Sequence, residues 1–320
     1  MRWGILGAAN FARQQMGPAI HAAKGAALTA LATSDPAKAK GFRDFAPGLR
    51  VHGDYDALLA DDGIDAVYIP LPNHLHVDWT IKALEAGKHV LCEKPIALKA
   101  EDIDRVIAAR DASGKFAAEA FMITHHPQFV RARDLVQGGT IGQLRHVDAL
   151  FSFNNPDAGN IRNKPDTGGG ALPDIGVYIL GSARFVTGAE PVAIRHARVD
   201  FEGGVDVFAQ FAADFDGFTY SGLVSTRMQP AQRVTFHGDK GILTMTAPFN
   251  AGVYDQAELV IETQGGARTI ERWPGVNHYV LQVEAFAAAA QRGAGYACPL
   301  EFSRGTQAMM DMVYAAGQQG

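Results

Sequence analysis

The chain has 320 residues, 47% of them hydrophobic and 20% charged, a balance that fits an ordinary globular protein and is long enough for two cores. Its formal net charge is −5 and it has no long basic run, which speaks against nucleic acid or an anionic membrane as partner. Only Cys92 and Cys298 are present, and no apolar run reaches the ~20 residues of a membrane span, so a disulfide framework and a membrane segment are both excluded and a cytoplasmic location is expected.

The chain opens on a buried strand, Arg2 to Gly7. The apolar run from Trp3 to Ala9 is soon broken by Asn10 and Arg13, so it reads as a first strand and not as a signal peptide. Gly7, Ala9 and Ala12 then occupy the three positions of a dinucleotide fingerprint, with a helix predicted to about Ala23. Gly7 allows the tight turn. Ala9 stands where glycine normally lets the backbone approach a pyrophosphate, and its methyl group is tolerated if the phosphates sit slightly higher. The helix start, with Asn10 and Phe11, offers free N–H groups and a positive dipole end to phosphates.

Ala27 to Ala32 is the next strand. An NAD-binding chain places an acid at its end to hold the ribose hydroxyls. Thr33 and Ser34 stand there instead, with Lys38 one helical turn on and Lys40 and Arg43 beyond. Small hydroxyls beside a cation suit a 2′-phosphate, so NADP is the expected cofactor, with NAD the alternative if Asp35 turns to the ribose. Ser34-Asp35-Pro36 also reads as a plain helix cap.

A strand from Asp65 to Leu71 runs into Pro72-Asn73 and His76, and a helix from Val77 to Ala86 follows. The apolar stretch His89 to Cys92 then meets Glu93-Lys94-Pro95. An acid and a base at the carboxyl end of a buried strand are costly to desolvate unless they serve something. The same tripeptide also reads as a salt-bridged strand end. His74, His76 and His89 lack the Cys or Glu that would complete a ligand set, so no metal is expected. A helix from Ala100 to Ala112 and a strand from Phe116 to Phe121 complete a doubly wound α/β domain.

The Gly4–Gly7 stretch, Pro72-Asn73 with His76, and the run from Glu85 to Pro95 resemble the glucose–fructose oxidoreductase/inositol dehydrogenase family, often written Gfo/Idh/MocA. The resemblance implies a Rossmann domain over 1–122 and an α+β domain over 123–302 with a large, mostly antiparallel open sheet. It implies a terminal helix, about 303–317, that packs back on the cofactor domain. It makes Lys94 catalytic, often with a cis proline after it, and it puts Pro72, Asn73, His76, Glu93 and Lys94 at the cofactor.

The second half fits. Pro127 to Gln137 reads as a helix. Alternating runs follow at 144–153, 192–201, 205–215, 218–225, 233–237, 242–245 and 258–263, with turns at Asp216-Gly217 and Gly238 to Gly241. Helices are expected from His278 to Arg292 and from a capping Ser303 to Ala316. Asn160-Ile161-Arg162 precedes Gly168-Gly169-Gly170, and Asp174 and Tyr178 come at i and i+4 of the helix after it. Taken alone, Asp174 is a helix-start acid and Tyr178 a half-buried aromatic. The resemblance puts Asp174, Tyr178 and Arg162 at the substrate. Tyr178, where many relatives have His, matches the branch containing glucose–fructose oxidoreductase, dimeric dihydrodiol dehydrogenase and sugar reductases. Ile123-Thr124 departs from the aromatic–basic pair usual in that branch.

The expected activity is NADP-dependent interconversion of an alcohol or hemiacetal and a carbonyl on a sugar, polyol or dihydrodiol-like substrate. Tyr178 exchanges the proton and Lys94 binds the same oxygen, or Lys94 itself is the acid/base; Asp174 orients substrate hydroxyls or Lys94. The alternatives are a non-catalytic NADP-binding regulator and a sugar–sugar oxidoreductase with non-dissociating NADP. A homodimer or homotetramer through the C-terminal sheet is expected, from strand residues such as Phe208, Ala209, Gln210 and Phe211.

Overall fold

A computed structural model describes residues 1–318. The chain divides into two compact units, Met1–His125 with Asn277–Arg304 and His126–Val276 with Gly305–Gly320.

The first unit is built on β1 (Arg2–Leu6), β2 (Ala27–Ala32), β3 (Arg50–His52), β4 (Ala66–Ile69), β5 (His89–Cys92) and β6 (Ala117–Glu119). All pair in parallel, in the order β3-β2-β1-β4-β5-β6. The strands are short continuous apolar runs because both faces are covered. Trp3, Ile5, Leu6 and all four residues of β4 are fully buried. The order reverses between β1 and β4, and that is where the carboxyl ends of a doubly wound sheet open a crevice for a ligand.

This unit also takes the helix His278–Arg292, which the sequence assigned to the other domain. The reason is its apolar stripe: the Phe286 ring lies 5.0 Å from both Trp3 and Phe116. Asn277 caps it, accepting from the amides of Tyr279 and Val280.

The second unit holds β7 (Leu144–Asn154), β8 (Pro191–Glu202), β9 (Val205–Phe215), β10 (Phe218–Ser225), β11 (Arg227–Gly238), β12 (Gly241–Met245), β13 (Glu258–Thr263) and β14 (Arg268–Arg272). They form one sheet in the order β14-β13-β12-β11-β7-β10-β9-β8. Only β7 and β10 run parallel; every other pairing is antiparallel. Strand alternation sends Val147, Ala149 and Phe151 of β7 into the core. The same alternation corrects the expected self-association patch. Ala209 and Phe211 are buried in the core, and only Phe208 and Gln210 belong to the other face, where Arg198 lies over the Phe208 ring.

The final helix runs Leu300–Gly317, three residues longer at its start than expected; Ser303 is a buried interior residue and not its cap. Its first turn belongs to the first unit, through ion pairs Glu301–Arg110 and Arg304–Asp104. From Gly305 onward it belongs to the second unit, against the expectation that it packs on the cofactor domain. The buried Arg184 explains this: it donates to Thr306 Oγ1 at 2.5 Å while forking onto Glu190. Among the described residues, no helix is long and apolar enough to cross a membrane.

Candidate functional site

In the first unit, the polar residues singled out in the sequence gather at the carboxyl ends of the parallel strands. Gly7 has φ +102° and donates to the Ala32 carbonyl at 2.9 Å, and a Cβ there would press on Leu71. Ala8 and Ala9 follow, and the chain turns into helix at Asn10, with Asn10 and Phe11 exposed. Phe11 rests edge-on against Tyr279, ring centroids 5.7 Å apart.

After β2, Thr33 is buried and its hydroxyl is used inside the turn, bonded to the backbone of Asp35. It therefore shapes the loop and leaves Ser34 and Lys38 as the exposed groups. The Asp35 carboxylate accepts from the Ala37 amide at 3.0 Å, so the helix-cap reading of that acid holds.

His76 differs from expectation. It is fully buried, and its two ring nitrogens lie 2.8 Å from the Pro95 carbonyl and 2.7 Å from the Leu71 carbonyl. The two acceptors favour protonation, but burial dominates and holds the ring's pKa down to about 4. The neutral ring carries one N–H and donates to one of the two carbonyls, with its other nitrogen lying against the second, so His76 sits buried between the Pro72-Asn73 turn and the turn after β5 and both ring nitrogens face backbone oxygens.

The Lys94–Pro95 bond is cis. Around it, three groups set the position of Lys94. His76 holds the Pro95 carbonyl, Glu119 Oε1 accepts from the Ile96 amide at 2.9 Å, and Glu93 Oε2 accepts from the Lys94 amide at 3.3 Å. Glu93 Oε1 in turn accepts from the Tyr68 hydroxyl at 2.5 Å. Burial pushes the Glu93 carboxyl above the usual carboxylate range, with the Tyr68 hydroxyl pulling it back, and burial raises the Tyr68 phenol as well. Tyr68 and Glu119 were not singled out in the sequence. Each lies at or near the end of a strand adjacent to β5, which is legible only once the strand order is known.

In the second unit, the loop between β7 and β8 carries the other set. Arg162 Nε bonds Asp174 Oδ2 at 2.7 Å, and the Asp174 side chain is only 13% exposed. The glycine triplet has a steric reason at each place. Gly168 is left-handed, with φ +73°. A Cβ on Gly169 would run into the Arg162 carbonyl oxygen, and Gly170 has φ +141° with Asp206 packed against it. Asp174 lies in a wide π-turn, Leu172–Gly176, that continues as the α-helix Val177–Thr187. Tyr178 is 7% exposed, its ring packed against the stacked pair Phe151 and Phe249 at centroid distances of 5.8 and 5.6 Å. Asp174 and Tyr178 thus lie on one continuous helical stretch, and Arg162 pairs with Asp174.

A family described as "Oxidoreductase family, NAD-binding Rossmann fold" matches residues 1–121, and the GFO/IDH/MocA C-terminal domain matches residues 129–244. The chain is similar to D-xylose 1-dehydrogenase (NADP(+)) 2 of Haloferax volcanii, 34% identical over 100% of this chain and 98% of that enzyme. It superposes on a 3-ketoreductase from Actinomadura kijaniata solved with NADP and TDP-benzene, with TM-score 0.91, 32% identity and 99% and 97% of the two chains covered. It also superposes on an aldose–aldose oxidoreductase from Caulobacter crescentus, with TM-score 0.91, 26% identity and 100% and 98% coverage. Matched in order over residues 1–121 and 129–244, the chain belongs to the GFO/IDH/MocA oxidoreductase family.

Proposed function

We propose that this protein is an NADP-dependent dehydrogenase or reductase acting on a secondary alcohol, hemiacetal or ketone of a sugar-like substrate. The observation that carries the reading is the turn after β5. A lysine is presented at the carboxyl edge of a parallel sheet, fixed by His76, Glu93 and Glu119, in a chain whose relatives are sugar oxidoreductases.

Gly7 and the helix start at Asn10 suit a pyrophosphate, and Ser34 with Lys38 suits a 2′-phosphate. Bound nicotinamide supplies the hydride acceptor or donor. The protein's own part is the proton and the orientation. Tyr178 exchanges the proton of the reacting hydroxyl, Lys94 acts on that same oxygen and favours the phenolate, and Asp174, held by Arg162, orients neighbouring hydroxyls. Hydride-transfer assays over a panel of aldoses, ketoses and diols test this. Turnover of none of them, with NADP still bound, refutes it in favour of a regulator.

NADP binds more tightly than NAD, by roughly tenfold or more, about 1.4 kcal/mol. Asp35 is committed to its cap, and Lys38 stands one turn on. Fluorescence titration with the two cofactors checks this; equal affinities mean that Asp35 rules the ribose pocket.

The likeness to the aldose–aldose oxidoreductase supports a second reading, in which NADP stays bound and shuttles hydride between two sugars. Protein that carries nicotinamide absorbance through purification decides for it.

The face of the C-terminal sheet that carries Phe208 and Gln210 is proposed as the self-association surface of a homodimer or homotetramer. Exposed Phe201 and Met228 add apolar area in the same unit. Light scattering at micromolar concentration reads at least twice the monomer mass; a monomer refutes the assignment.

A further inference from the structure

The helix that carries Asp174 and Tyr178 begins without a cap of its own. Ala171 precedes it in helical conformation, and no local side chain accepts from its first turn. First-turn amides left without an acceptor are costly when buried, and Leu172 is fully buried.

The missing acceptor comes from β9. Asp206 Oδ2 accepts from the Leu172 amide at 2.7 Å, and Oδ1 accepts from the Tyr314 hydroxyl at 2.7 Å. Asp206 is 2% exposed, so both bonds are made away from water, where a carboxylate on a helix N-terminus interacts most strongly. Gly170 makes room for it: a Cβ there would occupy the place of Oδ1. Arg184, one helix face further on, joins the same helix to Thr306. The last helix thus grips the Tyr178 helix near its start, through Tyr314 and Asp206, and in its later turns, through Thr306 and Arg184.

We propose that Asp206, locked by Tyr314, is a positioning residue for the reaction: it fixes the first turn of the helix and so the place of the Asp174 carboxylate and the Tyr178 phenol. The proposal rests on the reading of Tyr178 as the proton-transfer group. A π-turn is wider than an α-turn and is closed here by the Val177 amide on the Leu172 carbonyl, so a hold on Leu172 bears directly on its register. Release of the Leu172 amide lets the turn relax towards α geometry and rotates Asp174 and Tyr178 about the helix axis. A shift on the order of 1 Å at a reacting group costs about 10²-fold in rate.

Tyr314→Phe removes one hydroxyl and keeps the ring, so it tests the lock with little risk to folding; Asp206→Asn and Asp206→Ala complete the set. For each, kcat and KM are measured together with amide exchange at Leu172. Tyr314→Phe should lower kcat about tenfold, leave the KM for NADP unchanged and speed Leu172 exchange. Asp206→Asn, which keeps an acceptor oxygen, should retain more kcat than Asp206→Ala. Unchanged exchange and unchanged kcat overturn the proposal. Faster exchange with unchanged kcat also overturns it, since Asp206 is then an ordinary structural cap. A wild-type protein inert towards every sugar and diol, with Leu172 exchange still quickened by Tyr314→Phe, refutes the reaction and leaves the cap standing, so the two failures are told apart.

Discussion

Lys94→Met is expected to cut turnover by about 10³-fold, about 4 kcal/mol of transition-state stabilisation, in the range lost when a group that handles a reacting proton is removed. Methionine keeps the length and apolar stem of the side chain and removes the cation. The backbone of the turn does not depend on the ammonium group, since Pro95, Ile96 and the Lys94 amide are bonded by His76, Glu119 and Glu93. NADP affinity should therefore change little. Tyr178→Phe should be comparably inactive, and the pair together little worse than either alone, because residues that act on one proton act as a unit. If Tyr178→Phe keeps near-normal turnover, the ring packed against Phe151 and Phe249 is packing alone, and Lys94 carries the proton chemistry itself.

Gly170→Ala is expected to destabilise the second unit by about 3–5 kcal/mol, the sum of a backbone held at φ +141° and an overpacked contact. Asp206 cannot step aside, because both of its oxygens are bonded. In calorimetry this corresponds to a Tm lower by roughly 10 °C. An unchanged Tm would mean that the loop before Leu172 re-forms around the methyl group. Gly217→Ala is the control: it has positive φ but meets no neighbour, so it should cost only about 1 kcal/mol.

The two kinds of information in this chain were legible to different degrees. Periodicity located the helices Pro127–Gln137 and His278–Arg292 and the strands β9 and β10 to the residue, because each keeps one face largely buried; β13, with Leu259, Val260 and Ile261 all buried, was located as a short apolar run. β11 begins six residues before its apolar pattern. Met228, Gln229 and Pro230 sit in a bulge between Arg227 and Ala231, where proline and unpaired residues are tolerated. β14, Arg-Thr-Ile-Glu-Arg, is a charged edge strand with no buried face, and β3 is three residues long at the opposite kind of edge, so neither leaves a hydrophobic signature.

The site divides in the same way. Lys94, Asp174 and Tyr178, the proposed site residues, stand in local motifs and were singled out through the resemblance those motifs carry. The groups that hold them were not. Tyr68 reaches Glu93 across 25 residues, Glu119 reaches Ile96 across 23, and Tyr314 reaches Asp206 across 108. Single residues carry no local sign of such partnerships. His76 shows the converse: its place in a motif suggested a ligand contact, and burial between two carbonyls makes it a clamp.

The first unit is made of two stretches, Met1–His125 and Asn277–Arg304. During synthesis the ribosome emits the six parallel strands first, and the helix that seals Trp3 and Phe116 follows only after the whole antiparallel sheet. At ~5–20 residues per second, the intervening stretch of roughly 150 residues takes about 8–30 s. For that interval the nascent nucleotide-binding half has its aromatic seam open to solvent. A fragment expressed to residue 125 alone is left permanently in that state, and co-expressed halves should re-form the protein only if the second polypeptide brings the sealing helix with it.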